Sequence, residues 1–255
     1  MPNVERPTNK FLTRTLQVVE LLAHAEGHMR LRDIAEKTKI TDSTALRILN
    51  TLAEGKYVEQ DGDSRRYSLT MKFAHIGNLI ASKISIRDVA RPFLVGLCQR
   101  TKESASLIIE QNSTAVYIDS ISGPENIFRT LHLIGKAAPL HCTAAGKCLM
   151  LNYSSQEIER YVQEIGLSPL TNKSIKTKEQ LVREIGSAAT RGYAVDDEEC
   201  EDGVRCVAAP IRDYMAKVVA SISVTGPSSR LTKTRVKALK DMLMETAGQI
   251  AGKLG

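Results

Sequence analysis

A chain of 255 residues, 42% of them apolar and 25% charged, carries enough material for two ordinary globular domains. Tryptophan is absent and aromatic residues make up only 4%, which leaves little for stacking the bases of single-stranded nucleic acid. No stretch approaches the ~18 uninterrupted apolar residues of a membrane helix, and residues 1–7 lack the apolar core of a secretory signal, so a cytoplasmic protein with no membrane partner is expected.

The five cysteines, Cys98, Cys142, Cys148, Cys200 and Cys206, are an odd number in a long chain without a signal and read as reduced thiols. The net charge of +6 invites a nucleic-acid reading, but its distribution weakens that argument. Residues 1–78 hold 12 basic against 10 acidic side chains, residues 79–229 hold 17 against 17, and residues 230–255 hold 6 against 2. Most of the excess therefore belongs to the last segment, and a case for DNA has to rest on pattern.

From Leu12 the residues Leu12, Leu16, Val19 and Leu22 recur at helical spacing, widened by Val18 and Leu21, with Gly27 as the expected stop. A shorter helix is predicted over 31–38, with Leu31, Ile34 and Ala35 on one face, followed by a turn at Lys39-Ile40. The run Thr41-Asp42-Ser43-Thr44 is dense in N-capping residues and opens a third helix with a buried stripe of Ala45, Ile48, Leu49 and Leu52 that ends at Gly55. Two helices joined by so short a turn form a helix-turn-helix, whose second helix enters the major groove. Its outer face presents Ser43, Thr44, Arg47 and Asn50: arginine can pair with guanine, asparagine with adenine, and hydroxyls with phosphate or bases. Thr44 has capping and Asn50 has plain solvation as competing readings.

Alternating segments around Val58 and Leu69 flank a polar turn containing Asp61-Gly62, a hairpin signal. Arg65 and Arg66 on its return would lie beside phosphate, which makes this a wing. The competing reading is a packing module of three helices and a hairpin. Residues 1–70 are thus read as a winged helix-turn-helix. A linker helix over 71–85 follows, with Phe73, Ile76, Ile80 and Ile84 at helical spacing, and then a second helical stretch at 86–100 with Val89, Phe93, Leu94 and Leu97. Such stripes on a connector are expected to form a dimer seam, and Pro92 predicts a kink or a helix start.

Beyond Ser104 short strand-like runs at 106–110, 115–121, 128–133, 194–195, 205–211 and 218–224 alternate with helical segments near 143–151, 155–165, 177–191 and 232–254. The predicted class is α+β with a mostly antiparallel sheet over 86–255.

Four segments then carry a resemblance: Pro139 to Lys147 (PLHCTAAGK), Gly192 to Glu199 (GYAVDDEE), Gly203 to Ile211 (GVRCVAAPI) and Ala220 to Pro227 (ASISVTGP). The chain closely resembles the IclR family of bacterial transcriptional regulators over nearly its whole length. It departs where the family often has Leu-Gly after the wing: here Leu69 is followed by Thr70. The resemblance implies a GAF-like effector domain, dimers or dimers of dimers, and regulation relieved or imposed by a small organic ligand. A palindromic double-stranded operator, a small organic acid and RNA polymerase are the partners so implied, besides a second copy of the chain.

The loop at Gly135-Lys136 and the helix start at Thr143-Ala144-Ala145-Gly146 suit a carboxylate or phosphate, because free N–H groups lie there and small residues admit a ligand. The stretch fails as a nucleotide loop, since His141 replaces the first glycine and Cys148 the hydroxyl residue. Thr143 can equally be a simple cap. Ser223 and Thr225 alternate along one strand and face the same way. From the residues alone they read as core-edge positions. The resemblance places them with Asp196 and Cys206 in the effector pocket; by chemistry alone the two hydroxyls and the thiol could orient a small oxygenated ligand, with Val204 and Phe128 as apolar wall. The acidic residues Asp196–Asp197–Glu198–Glu199, Glu201 and Asp202 read as a solvated loop. His141, Cys142, Cys200 and Cys206 have no recognised zinc spacing, so neither metal nor cofactor is expected. No nucleophile elbow, His-Glu-x-x-His or paired catalytic carboxylate appears, and a non-enzyme is expected. The alternatives are a thiol-dependent GAF-like enzyme such as a free methionine sulfoxide reductase, for which a winged helix has no use, and an architectural DNA binder without a ligand.

Overall fold

The computed structural model describes residues 9–81, 85–124 and 134–254, so Phe128 and the strand predicted at 128–133 lie outside the described residues. The chain divides into two units, Met1–Lys83 and Ile84–Gly255.

In the first unit α1 (Lys10–Ala23) is capped by the Asn9 side chain, α2 is Leu31–Thr38 and α3 is Asp42–Glu54. Strands β1 (Val58–Gln60) and β2 (Tyr67–Leu69) form an antiparallel hairpin. Val18, Leu22, Ile34, Ile48, Leu49, Val58 and Tyr67 close the core. The inward face of α1 differs from the predicted stripe: Leu12 and Leu16 are 58% and 62% exposed, while Phe11, Thr15, Val18 and Leu22 point inward. The apolar pattern is ambiguous by one position, and the docking of α2 and α3 selects the Val18 side. Gly27 is not the stop, since α1 ends three residues earlier at the cap His24. The α2–α3 turn is made by Lys39 in the left-handed region (φ 55°), and Thr41 caps α3.

The wing turn uses different chemistry from the expected Asp-Gly pair. Asp61 Oδ1 accepts from the Ser64 backbone (2.7 Å) and hydroxyl (2.6 Å), and the positive φ belongs to Arg65 (55°) rather than Gly62. Thr70 replaces the family glycine usefully: its hydroxyl donates to Lys56 O (2.6 Å) and accepts from Lys72 N. Helix α4 (Lys72–Ala81) starts there, with Phe73 against the Tyr57 ring at 5.1 Å.

The second unit is a six-stranded sheet with helices on both faces. Its strands are β3 (Ser104–Gln111), β4 (Thr114–Ile121), β5 (Ala137–Pro139), β6 (Ala194–Asp197), β7 (Val204–Arg212) and β8 (Val218–Pro227), in the order β5-β4-β3-β8-β7-β6 with every pair antiparallel. Helices α5 (Ile86–Thr101) and α9 (Lys233–Leu254) cover one face, meeting Leu107, Val207, Ile211, Ile222 and Val224. On the other lie α6 (Ala144–Leu149), the short 3₁₀ turn Met150–Asn152, α7 (Ser155–Glu164) and α8 (Lys178–Arg191), against Ile108, Tyr117, Cys206 and Ala208. With both faces covered, β7 is buried along nearly its whole length. The predicted seam on 86–100 is corrected: Ala90, Leu94, Leu97 and Cys98 enter this unit's own core. Helix α5 runs unbroken through Pro92, which sits on the exposed side where water can satisfy the lost bond. Among the described residues no helix is long and apolar enough to cross a membrane.

One buried ion pair ties the second face together. Lys147 on α6 is fully buried, and its Nζ donates to Val195 O (2.8 Å) and to Glu199 Oε1 (2.6 Å), joining α6 to β6 and the turn after it. Removing one partner of such a pair leaves an uncompensated charge. Lys147→Met is therefore expected to lower the unfolding free energy by about 3–5 kcal/mol. Urea titration checks this, and a loss below about 1 kcal/mol would show that the pair contributes no net hold.

Candidate functional site

The first unit offers an outer face on α3. Ser43, Arg47 and Asn50, one and two turns apart, are exposed opposite the buried Ala45, Ile48 and Leu49. Thr44 is half-buried, and its hydroxyl is engaged with the Thr41 hydroxyl at 2.9 Å, which ties it to the helix start. The Arg47 guanidinium rests over the Phe11 ring of α1, 4.7 Å from its centroid. This contact extends the side chain along the surface at modest energetic cost. Leu46, 40% exposed, shares the face with Ser43 and Asn50 and was not singled out from the sequence. The signal was the spacing 43, 46, 50, masked because a leucine is assigned to the core by default. On the wing, Arg65 is exposed and Arg66 half-buried, and the Arg66 carbonyl accepts from Asp61 N (2.8 Å).

The second unit encloses a cavity of about 20 Å³ between β4, β6, β7, β8 and the start of α6, walled by Tyr117, Ala138, Thr143, Ala145, Asp196, Cys200, Glu201, Val204, Cys206 and Thr225. That volume is on the order of one water. Of the sequence-derived pocket residues, Thr143, Asp196, Val204, Cys206 and Thr225 meet here. Ser223 is buried one step along β8, within hydrogen-bonding reach of Cys206, whose Sγ also accepts from Thr225 Oγ1 (3.0 Å).

The remaining candidates do not reach the wall. Gly135 and Lys136 are exposed before β5, with their backbones paired to Tyr117. Ala144 packs into the core, and a Cβ on Gly146 would overlap the backbone of Leu140. The smallness of Gly146 thus serves helix packing. Thr143 does cap α6, accepting from Gly146 N (3.1 Å). The wall residues missed are Tyr117, Ala138, Cys200 and Glu201. The alternation of buried Ala115, Tyr117 and Asp119 along β4 pointed to the first, whereas the turn that swings Cys200 and Glu201 inward has no periodicity to read.

The acidic segment is not the solvated loop expected. Asp197 pairs with Arg205 and Lys233, Glu198 with Lys173, and Glu199 with Lys147. Asp196 is buried, with Oδ1 accepting from Glu199 N (2.7 Å) and Cys200 N (3.3 Å). Burial raises its carboxyl to about 7. Burial likewise pushes Glu201 up, and among the described residues its Oε2 is enclosed without a hydrogen-bond partner. His141 turns away to Tyr161 OH (3.1 Å) and Ser168 O (3.2 Å), and no described cluster of three or more His, Cys, Asp or Glu is arranged to hold a metal ion.

The family model of the IclR helix-turn-helix domain matches residues 12–62, and that of the bacterial transcriptional regulator IclR C-terminal domain matches residues 79–252. The chain belongs to the IclR family. It is similar to the HTH-type transcriptional regulator KipR of Bacillus subtilis, 28% identical over 97% of this chain and 98% of that one. It is similar also to the crystal structure of the Thermotoga maritima IclR, with a TM-score of 0.64 and 31% identity over 96% of this chain and 98% of the other. An IclR homologue of Microbacterium hydrocarbonoxydans, complexed with 4-hydroxybenzoate, shares the fold at a TM-score of 0.61 and 21% identity, covering 96% and 99%. This IclR-family protein is accordingly a DNA-binding transcriptional regulator.

Asp196 generates a pH test. Its folded value of about 7 lies above the ~3.9 of a free aspartate. The folded chain therefore binds the extra proton between these limits, and the associated stability is present below pH 4 and lost as pH rises through 7. Asp196→Asn keeps an acceptor for the two backbone N–H groups without the charge. It should unfold at higher temperature than wild type at pH 8, by a margin corresponding to as much as ~4 kcal/mol, and the difference should shrink steadily towards pH 4.5. An equal difference at both pH values in thermal unfolding would refute a buried, titrating Asp196.

Proposed function

We propose that a small organic acid bound in the cavity of the second unit controls operator binding by the first. The observation that carries this reading is the cavity itself, where hydroxyl, thiol and carboxyl groups of Thr143, Thr225, Cys206, Asp196 and Tyr117 converge in an otherwise packed core. Convergent polar groups within apolar walls are the usual form of a ligand site. A protonated Asp196 can donate to a ligand carboxylate, and Glu201 Oε2 can accept from a ligand hydroxyl. An acid that also bears a hydroxyl suits both, and the Microbacterium homologue's ligand has that chemistry. The cavity must widen to admit it, so the ligand binds unequally to two forms of the chain, which is what regulation requires.

On the DNA side, α3 enters the major groove with Ser43, Arg47 and Asn50 towards base edges, Thr44 at the helix start and Leu46 towards a thymine methyl, while Arg65 and Arg66 of the wing meet phosphate. The chain acts as a dimer or dimer of dimers on a palindromic operator, a reading supported by the exposed apolar pair Leu12 and Leu16 on α1.

Arg47→Ala is expected to weaken operator binding by about 1–3 kcal/mol and to relax preference at one base pair. Arg65→Ala with Arg66→Ala should weaken specific and random duplex alike and reduce the salt slope by about two units. Fluorescence-anisotropy titrations over a salt series separate the two, and an unchanged affinity in Arg47→Ala removes that residue from the interface.

For the ligand, a thermal-shift screen of small carboxylic acids including 4-hydroxybenzoate should give a hit, because a ligand stabilises by mass action. Calorimetry with that acid on Ser223→Ala/Thr225→Val should show binding weaker by about 1–3 kcal/mol, with operator affinity in its absence unchanged. Wild-type affinity for the acid in the double variant would place the effector elsewhere.

A further inference from the structure

Strand β6 is the last of its sheet, and its side chains alternate between two hollows. Asp196 faces the small cavity, while Tyr193, just before the strand, Val195 and Asp197 face the other way. There, between α8 and α9 at the edge of the sheet, lies a pocket of about 300 Å³, far larger than the first. Its apolar part is the half-buried Val195 and the buried Val236 of α9. The rim of β6 is closed to a further strand, because Val195 O accepts from Lys147 Nζ (2.8 Å) and Asp197 N donates to Glu199 Oε1 (3.4 Å). An added peptide strand has no place there, and a compact occupant does.

The charges on the wall are unbalanced. Its basic side chains are Arg191, Arg205, Lys233 and Lys237. Its acidic ones are Glu184, Asp197 and Glu199, of which Glu199 is committed to Lys147. Asp197 serves both Arg205 (2.5 Å) and Lys233 (2.8 Å), and Glu184 stands 3.7 Å from Arg191, beyond hydrogen-bonding range. Lys237, one turn after Lys233, is exposed and has no carboxylate partner among the described residues. Four cations therefore face two carboxylates. Lys233 and Lys237 belong to the basic excess of residues 230–255, which lies outside the DNA-reading unit. Glu199 also keeps Oε2 enclosed without a hydrogen-bond partner among the described residues, an acceptor that a hydroxyl on an occupant would satisfy.

We propose that this pocket is a second ligand site, which takes a small organic dianion: a phosphomonoester or a dicarboxylate. Either carries about two negative charges above neutral pH, which matches the two uncompensated cations. The lysines and Arg191 meet the anionic groups through charge-assisted hydrogen bonds, and the carbon atoms of the ligand lie on Val195 and Val236. A duplex is too wide to enter a hollow of this size. The site does not depend on the acid proposed for the first cavity.

The full-length chain is titrated by calorimetry at pH 8 and constant ionic strength with glycerol 3-phosphate, with malate, and with lactate as the monoanionic control. At least one of the two dianions should bind at one site per chain, about tenfold or more tighter than lactate, and the one that binds tells phosphate from carboxylate. Lys233→Gln/Lys237→Gln changes exposed side chains and should leave the melting temperature unaltered. It should weaken that binding by about tenfold, as should Arg191→Gln made separately. Ser223→Ala/Thr225→Val should bind the dianion as the wild type does. Binding of neither dianion, equal binding of lactate, or full affinity in the lysine or the arginine variant overturns the proposal. So does a loss in Ser223→Ala/Thr225→Val, which would move the dianion into the first cavity. Lysine variants that lose affinity for duplex while the wild type binds neither dianion would assign these cations to DNA instead.

Discussion

The second unit depends on a charge that water never reaches. Lys147 could be replaced in sequence terms by any long side chain, yet its ammonium sits at the junction of α6, β6 and the turn after it. Burial would expel it unless its partners were already in place, so the ion pair forms only when helix, strand and turn arrive together. Burial also pushes the Glu199 carboxyl upward while Lys147 pulls it down. Such pairs rarely improve stability over an apolar substitute, and they exact a particular arrangement. Here that arrangement sets Asp196, Cys200 and Glu201 along the cavity wall, because all three belong to the segment that Lys147 holds. The neighbouring pairs of Asp197 with Arg205 and of Glu198 with Lys173 pin the same segment from its outer side.

The two units stand differently towards their partners. The outer face of α3 is finished at the surface: its side chains project into solvent from a helix whose other side packs into the core. A ligand as large as a duplex needs only to approach. The cavity is nearly filled, and occupation requires the protein to yield. On the reading proposed above, the metabolite acts on DNA binding by shifting a population between two forms of the chain.

Much of the architecture was legible from periodicity. Helices α2, α3, α5 and α8 and strands β3, β4, β7 and β8 follow apolar spacings that survive tertiary packing with shifts of at most three residues at their ends. Periodicity failed where two faces were equally apolar, as on α1, where Leu12 and Leu16 matched the helical period as well as Phe11 and Val18 did. It failed also for β5, three residues long and too short to show alternation. At the cavity, Thr225 was legible by its alternation with Ser223 along one strand and Cys206 through the family resemblance, and the register Cys206↔Thr225 brings them together. Cys200 and Glu201 were illegible because a turn, with no repeating geometry, aims them. The acidic run misled for a related reason: composition suggests solvation, while the cations that pair with it come from outside the run, Lys147, Lys173 and Lys233 from distant parts of the chain and Arg205 from the adjoining β7.

The wing turn carries an implication of its own. Arg65 occupies a backbone conformation that costs an ordinary residue roughly 1 kcal/mol or more and costs glycine nothing. The local fold would be better served by glycine, as in most turns of this kind. On the reading proposed above, the side chain is kept at this exposed tip for the phosphate it meets when the duplex arrives.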